Sequence, residues 1–215
     1  DEMNRVLAAL HDVDHEAVGL GDFGRPGSYV ERQFGRWSKQ YMASATEVNE
    51  DLESAIKWLE SNLPPDDGQV SLVHGDYRLD NVMFDKDEAR IIAVLDWELS
   101  TLGHPIADLA YQCMNWRLPY KAGFRGLAGV ERSAATGLPV EEEYVARYCE
   151  RRGISGVEHW EGYLAYNLFR MAAILQGGYR RALDGNASNP EKAHAVGQAS
   201  PVIGRSTAEF LENEA

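Results

Sequence analysis

The sequence is poor in cysteine. Its 215 residues include two, Cys113 and Cys149, which lie far apart and form no Cys-x-x-Cys pair. Two cysteines at such a separation are too few for a disulfide framework or a structural zinc site. We therefore expect two reduced thiols in the core of a cytoplasmic protein.

The sequence also lacks long apolar runs and an excess of positive charge. No window approaches the roughly 18 uninterrupted apolar residues of a membrane span, and residues 1–5 lack the basic-then-apolar pattern of a signal peptide. Lysine and arginine number 21 against 34 aspartate and glutamate, a formal net charge of −13. Because an acidic chain repels the phosphate backbone, we expect no nucleic-acid partner. Because no apolar run is long enough to span a membrane, we expect no membrane association.

Apolar residues recur at helical spacing along most of the chain, which predicts a mainly helical α+β protein. One helix is expected near the start, and others at about residues 28–45, 49–63, 107–114, 141–152, 158–183 and 189–212. A small β insert interrupts this pattern, with strands predicted at residues 70–73, 82–84 and 91–95. The polar cluster at residues 85–88 is typical of a turn, so the last two strands should form a hairpin.

The predicted β insert carries the residues that point to chemistry. Residues 74–81 read His-Gly-Asp-Tyr-Arg-Leu-Asp-Asn, and Asp96 directly follows the third strand. Phosphoryl transfer from ATP needs a carboxylate that accepts the proton of the attacking hydroxyl, and oxygen ligands for the magnesium ions that bridge the phosphates. Asp76 is the candidate base, and Asn81 and Asp96 are the candidate magnesium ligands. The hairpin should bring both ligands to one end of the insert.

Three motifs in this order resemble the aminoglycoside phosphotransferase and choline kinase family, small-molecule relatives of the protein kinases. They are His74-Gly-Asp76-x-x-x-x-Asn81, Val94-Leu-Asp96-Trp97-Glu98 and Gly103-His-Pro-x-x-Asp108-Leu-Ala110. Within the family, the chain most resembles the branch that is found alone in bacteria and fused to acyl-CoA dehydrogenases in some animals. Residues 29–33, 97–105 and 170–181 also carry this likeness, which covers nearly the whole chain.

The resemblance implies that residues 1–215 form the C-terminal lobe of a protein-kinase-like fold, with the β insert carrying the catalytic loop. It implies ATP and Mg²⁺ as cofactors, with Asn81 and Asp96 holding the metal and Asp76 acting as the base. The family shares its ATP site between two lobes, and we expect the N-terminal nucleotide lobe to be absent from this chain. No phosphate-covering loop or phosphate-gripping lysine is visible before Val70.

The resemblance also assigns supporting residues. Arg78 would contact the transferred phosphoryl group, His74 would support the catalytic loop, and Asp108 would hydrogen-bond backbone amides of that loop. The role of Glu98 stays open between a water-mediated metal contact and an outward-pointing side chain. Three arginines stay open between solvated charges and the lining of a pocket for an anionic substrate: Arg170, Arg180 and Arg181.

The Gly-x-Gly-x-x-Gly pattern at residues 19–24 lies between two predicted helices, where we expect a plain loop and not a phosphate site.

Because the nucleotide lobe is expected to be absent, this chain by itself should bind ATP poorly. An apolar surface should lie around Leu72, the hairpin and the chain start, and could support self-association.

The sequence therefore predicts an ATP-dependent phosphotransferase that phosphorylates a hydroxyl of a small molecule. Two alternatives stay open: a catalytically incomplete kinase-like scaffold, and a metal-dependent phosphoester hydrolase. The intact triple Asp76, Asn81 and Asp96 argues against the scaffold, and hydrolases of this kind generally use several histidines. The acceptor stays open among aminoglycosides, choline-like compounds and hydroxyacyl compounds, with a small hydroxylated metabolite favoured over an antibiotic.

Overall fold

The computed structural model describes residues 1–25, 27–120, 126–132, 135–187, 189, 191, 194, 197 and 199–214. Its α-helices are α1 Glu2–His11, α2 Tyr29–Ser44, α3 Glu50–Asn62, α4 Pro105–Cys113, α5 Glu141–Arg152, α6 Trp160–Leu183 and α7 Ser200–Glu214. Its strands are β1 Ser71–Val73, β2 Val82–Phe84, β3 Ile91–Val94 and β4 Thr101–Gly103. This content confirms the mainly helical α+β class.

The four strands form two antiparallel pairs. The predicted hairpin is present: β2 pairs with β3, with Val82 opposite Val94. The other pair joins β1 to β4, with Ser71 opposite Gly103. The sequence patterns did not predict β4, because a three-residue strand shows no alternation of its own and its partner lies about thirty positions earlier.

The chain divides into two compact units. The first comprises Asp1–Tyr29, Pro65–Cys113 and Val130–Glu158, and the second comprises Val30–Pro64, Met114–Gly129 and His159–Ala215. All four strands, together with α1, α4 and α5, belong to the first unit. The β insert and the helices around it therefore form one structural entity.

The first unit is built around α4, whose nine residues are all buried. Helix α1 packs against both α5 and β1 and buries Leu7 and Ala8 completely or almost so. The side-chain amide of Asn4, also buried, donates to the Tyr144 carbonyl at 2.8 Å, so this polar group has a partner. Burial without partners would be costly for that amide.

The second unit is helical and centres on α6, which packs against α7 and α3. Phe169 of α6 contacts Phe34 and Tyr41 of α2, with ring centroids 5.7 and 6.1 Å apart. Helix α3 begins after Asn49, whose side-chain oxygen accepts a hydrogen bond from the Leu52 amide at 3.0 Å. Such a cap satisfies an amide that has no partner inside the helix.

Some details of the predicted helices differ from the structure. Helical spacing predicts an apolar face of α2 made of Tyr29, Phe34, Trp37, Tyr41 and Met42, but Met42 is 60% exposed and does not belong to it. The last predicted helix, residues 189–212, coincides with α7 from Ser200 onwards. Residues 190, 192–193, 195–196 and 198 lie outside the described part of the chain.

Among the described helices, none combines the length and apolar character that crossing a membrane requires.

The three arginines whose role was left open have different surroundings. Arg170 is 6% exposed, with its guanidinium 5.7 Å from the ring centre of Trp37, so it is not a solvated charge. Arg180 is half-exposed and forms an ion pair with Asp184 at 3.0 Å, one helical turn away. Arg181 is exposed at the end of α6.

Candidate active site

The loop that carries the motif follows β1 and makes a tight turn at Gly75. This glycine has φ +79°, and a Cβ atom there would lie 2.6 Å from the carbonyl oxygen of Leu99. A side chain at this position would therefore suffer both backbone strain and a clash. Glycine allows the loop to pack against the segment that follows Asp96.

Asp108 on α4 anchors this loop from within the core. Its carboxylate is buried and accepts hydrogen bonds from the backbone amides of His74 at 2.7 Å and Gly75 at 2.9 Å. Burial opposes the charged form, but hydrogen bonds from His11, His74 and Gly75 outweigh it and hold the pKa of the Asp108 carboxyl below its usual value. An ionised carboxylate is the form that can accept two amide protons.

His11 is a further member of this anchor that sequence reasoning missed. Its ring is buried, with Nε2 3.4 Å from Oδ2 of Asp108 and Nδ1 2.6 Å from the Tyr148 hydroxyl. Burial lowers the pKa of His11, which favours the neutral form of the ring. Because the Asp108 carboxylate can only accept, Nε2 carries the hydrogen and the Tyr148 hydroxyl donates to Nδ1.

His74 connects the loop to the end of the hairpin. The backbone amide of Asp76 donates to its Nδ1 at 3.2 Å, so the ring hydrogen resides on Nε2, which donates to the Leu95 carbonyl at 2.9 Å. The ring is fully buried and lies 4.9 Å from the ring of Trp97, centroid to centroid. The His74 imidazole thus links the backbone of Leu95, next to Asp96, to the backbone of Asp76.

Asp76 has a partly accessible carboxylate, 20% exposed, with both oxygens engaged. Asn81 Nδ2 donates to Oδ2 at 2.8 Å and also to the Asp76 backbone carbonyl at 2.9 Å. The Tyr111 hydroxyl donates to Oδ1. Arg78 approaches the same carboxylate, with its Nε 3.5 Å from Oδ2. The carboxylate is therefore oriented by several donors while one side stays open.

Asn81 and Asp96 lie at the base of the hairpin. The Leu95 amide donates to the Asn81 backbone carbonyl at 2.8 Å, which sets Asn81 beside the residue that precedes Asp96. Asp96 is exposed and has a left-handed backbone conformation, with φ +65°. It precedes a short 3-10 turn, Trp97–Leu99, and its side chain makes no capping hydrogen bond to that turn. Within the described residues, no hydrogen bond engages the side-chain oxygen of Asn81.

This donor set suits Mg²⁺. An amide oxygen and a carboxylate are hard ligands, and Mg²⁺ in nucleotide sites usually takes one or two protein ligands, with the remainder from phosphates and water. The described residues contain no cluster of three or more His, Cys, Asp or Glu side chains placed to hold a metal. Two oxygens from Asn81 and Asp96 fit the requirement of a magnesium site that a phosphate completes.

Arg78 and Glu98 lie at the accessible edge of the site. The Arg78 side chain is 46% exposed and lies between Asp76 and Asp80, with its Nη1 3.9 Å from Oδ2 of Asp80. These distances are those of loose ion pairs, which leave the guanidinium able to reorient toward another anion. Glu98 is exposed within the turn that follows Asp96.

An apolar surface lies on and beside the hairpin, and we call it the hairpin surface. Its large side chains are each more than a third exposed: Leu79, Met83, Phe84, Ile92, Leu95, Trp97 and Leu99. Leu72, which was expected in this surface, is 8% exposed, because β1 is covered by α1 and α4. That part of the prediction was wrong, and the hairpin itself carries the exposed apolar area.

Tyr111 was also missed by sequence reasoning. It stands three residues after Asp108 in α4, so the two side chains share a face of the helix. That spacing was a usable signal, since a residue one turn from an anchor of the loop must also lie near the loop.

Comparisons with known proteins bear on the family and the fold of the chain. Residues 1–151 match the model of the phosphotransferase enzyme family. The chain is 44% identical over 210 residues to mouse acyl-CoA dehydrogenase family member 10, covering 97% of the chain and 19% of that protein. A solved structure from Ralstonia eutropha, assigned to the aminoglycoside phosphotransferases, is 47% identical with a TM-score of 0.91 and covers 99% of the chain and 64% of that protein.

A more distant solved structure shares the fold. It is a spectinomycin phosphotransferase in complex with ADP and spectinomycin, 15% identical, with a TM-score of 0.55 over 95% of the chain and 60% of that protein. The chain thus spans about a fifth of the mouse relative and less than two thirds of either solved structure. The matches show that the chain belongs to the phosphotransferase enzyme family, with the kinase-like fold and the kinship to aminoglycoside phosphotransferases that its motifs predicted.

Proposed function

We propose that the chain is the catalytic part of an ATP-dependent phosphotransferase that phosphorylates a hydroxyl group of a small molecule. One observation carries the proposal. The Asp76 carboxylate is oriented by Asn81 yet partly open to solvent, and Asn81 lies beside the segment that leads into Asp96. A base next to two hard oxygen ligands is the arrangement that phosphoryl transfer requires.

In this proposal Asp76 acts as the general base. It takes the proton of the acceptor hydroxyl while the hydroxyl oxygen forms a bond to the γ-phosphorus. The bond between that phosphorus and the β,γ-bridging oxygen breaks, and ADP leaves with the electron pair. Mg²⁺ bound by Asn81 and Asp96 would offset the negative charge of the phosphates.

Arg78 would contact the phosphoryl group during transfer. Its guanidinium lies on the accessible side of Asp76 and is held there only by loose ion pairs. A planar guanidinium can form two parallel hydrogen bonds to phosphate oxygens, which makes arginine well suited to this role. Asp108 and His74 would act on the reaction through the loop, by keeping its backbone in place.

The hairpin surface would form one wall of the nucleotide site and the contact area for a nucleotide lobe. Exposed apolar area of this kind commonly marks a binding surface. The spectinomycin phosphotransferase that shares the fold holds ADP, and more than a third of the Ralstonia structure lies outside the part that this chain covers. A lobe in that remainder would cover the base and the phosphates from the other side.

The acceptor class is the open part of the proposal. Arg170 is buried beside Trp37, and Arg180 is paired with Asp184, so neither supports an anionic acceptor. The relatives carry names from both antibiotic and acyl-CoA chemistry. We favour a small hydroxylated metabolite, and only an acceptor screen can decide among the classes.

The test is a transfer assay on a polypeptide that carries this chain together with a nucleotide lobe. The protein is incubated with Mg²⁺ and γ-labelled ATP in the presence of aminoglycosides, choline or hydroxyacyl-CoA thioesters. We expect label on one acceptor class, dependent on both Mg²⁺ and the acceptor. Release of phosphate without an acceptor would identify a hydrolase, and no turnover with any acceptor would indicate a scaffold; either result contradicts the proposal.

A further inference from the structure

We propose that Tyr111 is a positioning residue that holds the Asp76 carboxylate in the orientation in which it accepts the acceptor proton. The inference rests on the phosphotransferase function proposed above and adds a residue to it. Tyr111 lies on α4 and is 3% exposed, and its hydroxyl donates a hydrogen bond to Oδ1 of Asp76.

Helix α4 thereby contacts the catalytic loop at two levels. Asp108 binds the loop backbone through the amides of His74 and Gly75. Tyr111, one turn later on the same face, binds the functional carboxylate itself. Because all nine residues of α4 are buried, its side chains are confined by packing and provide a rigid reference for the loop.

The two oxygens of the carboxylate have different surroundings. Oδ1 accepts a hydrogen bond from the buried Tyr111 hydroxyl. Oδ2 accepts one from the Asn81 amide and lies beside the half-exposed Arg78 guanidinium. An acceptor hydroxyl can therefore approach only from the Arg78 side. The terminal torsion of an aspartate side chain is broad, so hydrogen bonds at both oxygens are needed to keep one orientation. Without the Tyr111 hydroxyl, the remaining contacts are all at Oδ2, from the Asn81 amide and the loosely paired Arg78 guanidinium.

A purely structural role is the alternative. A buried tyrosine hydroxyl generally finds some hydrogen-bond partner, and Asp76 could be that partner without any effect on the reaction. The two roles differ in what a phenylalanine at this position would change. Phenylalanine fills nearly the same volume, so packing is retained, and the Asp76 carboxylate loses a donor.

The experiment compares Tyr111→Phe with the matched variant Tyr144→Phe in the polypeptide that carries a nucleotide lobe. Tyr144 also lies in the first unit, and its buried hydroxyl donates to Gln112 of the same helix α4 at 2.6 Å, away from Asp76. For Tyr111→Phe we expect kcat to fall about 10- to 100-fold with an unchanged KM for ATP, as for the loss of a hydrogen bond to a charged group. Tyr144→Phe should keep the wild-type kcat.

Crystal structures of both variants provide a second readout that needs no activity. We expect the Asp76 carboxylate to adopt more than one orientation in Tyr111→Phe and a single one in Tyr144→Phe. Equal losses of kcat in the two variants, or one unchanged orientation of Asp76 in Tyr111→Phe, would overturn the proposal. If the wild-type protein transfers no phosphate at all, the proposed function fails, and the crystal structures still decide whether Tyr111 orients Asp76.

Discussion

The side-chain amide of Asn81 donates two hydrogen bonds to Asp76, one to its backbone carbonyl at 2.9 Å and one to its carboxylate at 2.8 Å. Both bonds use the amide nitrogen, so the amide oxygen is left for another interaction. The candidate base and a candidate magnesium ligand are therefore coupled through one side chain.

Replacement of the base should abolish most of the transfer without unfolding the protein. An amide at position 76 cannot take the acceptor proton, and loss of a general base typically costs about 10²- to 10⁴-fold in rate. Asp76→Asn keeps the side-chain shape, and the anchors from Asp108 to the loop backbone are untouched. The measurement is kcat in the transfer assay, together with thermal unfolding.

Asp87→Asn is the matched control for this variant. Asp87 is an exposed carboxylate in the hairpin turn, paired with Lys86, and its replacement should leave kcat unchanged. Wild-type turnover in Asp76→Asn would eliminate Asp76 as the base.

Asp96→Ala should raise the Mg²⁺ concentration needed for activity. The change removes a charged candidate ligand, so the negative charge of the phosphates is less well compensated. Asp96 is exposed, and its loss should leave the free energy of unfolding nearly unchanged. The measurement is a Mg²⁺ titration of the rate, with Asp87→Ala as the control. If the two variants share one Mg²⁺ dependence, Asp96 is not a ligand.

The stability of the protein should fall as the pH drops below about 6.5, in part because of His11. Burial lowers the pKa of His11 in the folded state from its ordinary value of about 6.5. Its neighbours are Asp108, Tyr148, Arg152 and Asp12. In this pH range the unfolded chain binds more protons than the folded chain. Stability is therefore complete above the unfolded pKa and is lost toward the lower folded pKa, by at most about 1.4 kcal/mol per pH unit.

Urea unfolding between about pH 7.5 and about pH 5 measures this dependence. His11→Gln should weaken it, because a glutamine does not titrate and retains groups that can meet Tyr148 and Asp108. His104, whose pKa burial also lowers, should still contribute in that variant. An identical pH dependence with and without His11 would show that its protonation is not linked to unfolding.

A polypeptide limited to these 215 residues should fold but bind Mg²⁺–ATP weakly. The described residues offer ligands for the metal and the hairpin surface as one wall for the base, and the proposal takes the remaining contacts from a second lobe. Isothermal titration calorimetry should show no saturable binding at micromolar nucleotide. A micromolar dissociation constant would mean that the nucleotide site is complete within this chain. Self-association through the hairpin surface stays a prediction, and analytical ultracentrifugation of the same polypeptide would test it.

Much of the fold could be predicted because it depends on local patterns. Helical periodicity placed α2, α3 and α5 within a residue or two of their observed bounds, and the polar cluster between β2 and β3 marked the hairpin turn. The pairing of β1 with β4 could not be predicted, since three residues carry no period. Met42, by contrast, lies one turn after Lys39, and that spacing fits the exposed side of α2 on which it is found.

Part of the candidate site could likewise be predicted from the sequence, and part could not. Asp76 and Asn81 stand five positions apart, and a short hairpin connects Asn81 to Asp96, so spacing alone was enough to bring these three residues into one motif. The contacts from His11 and Tyr111 span 97 and 35 positions, respectively, to Asp108 and Asp76. The spacing of Tyr111 from Asp108 places both side chains on one face of α4, but only the packing of α1 and α4 around β1 brings His11 to Asp108 and Tyr111 to Asp76. A long-range contact depends on how separate elements bury their faces, which local spacing does not fix by itself.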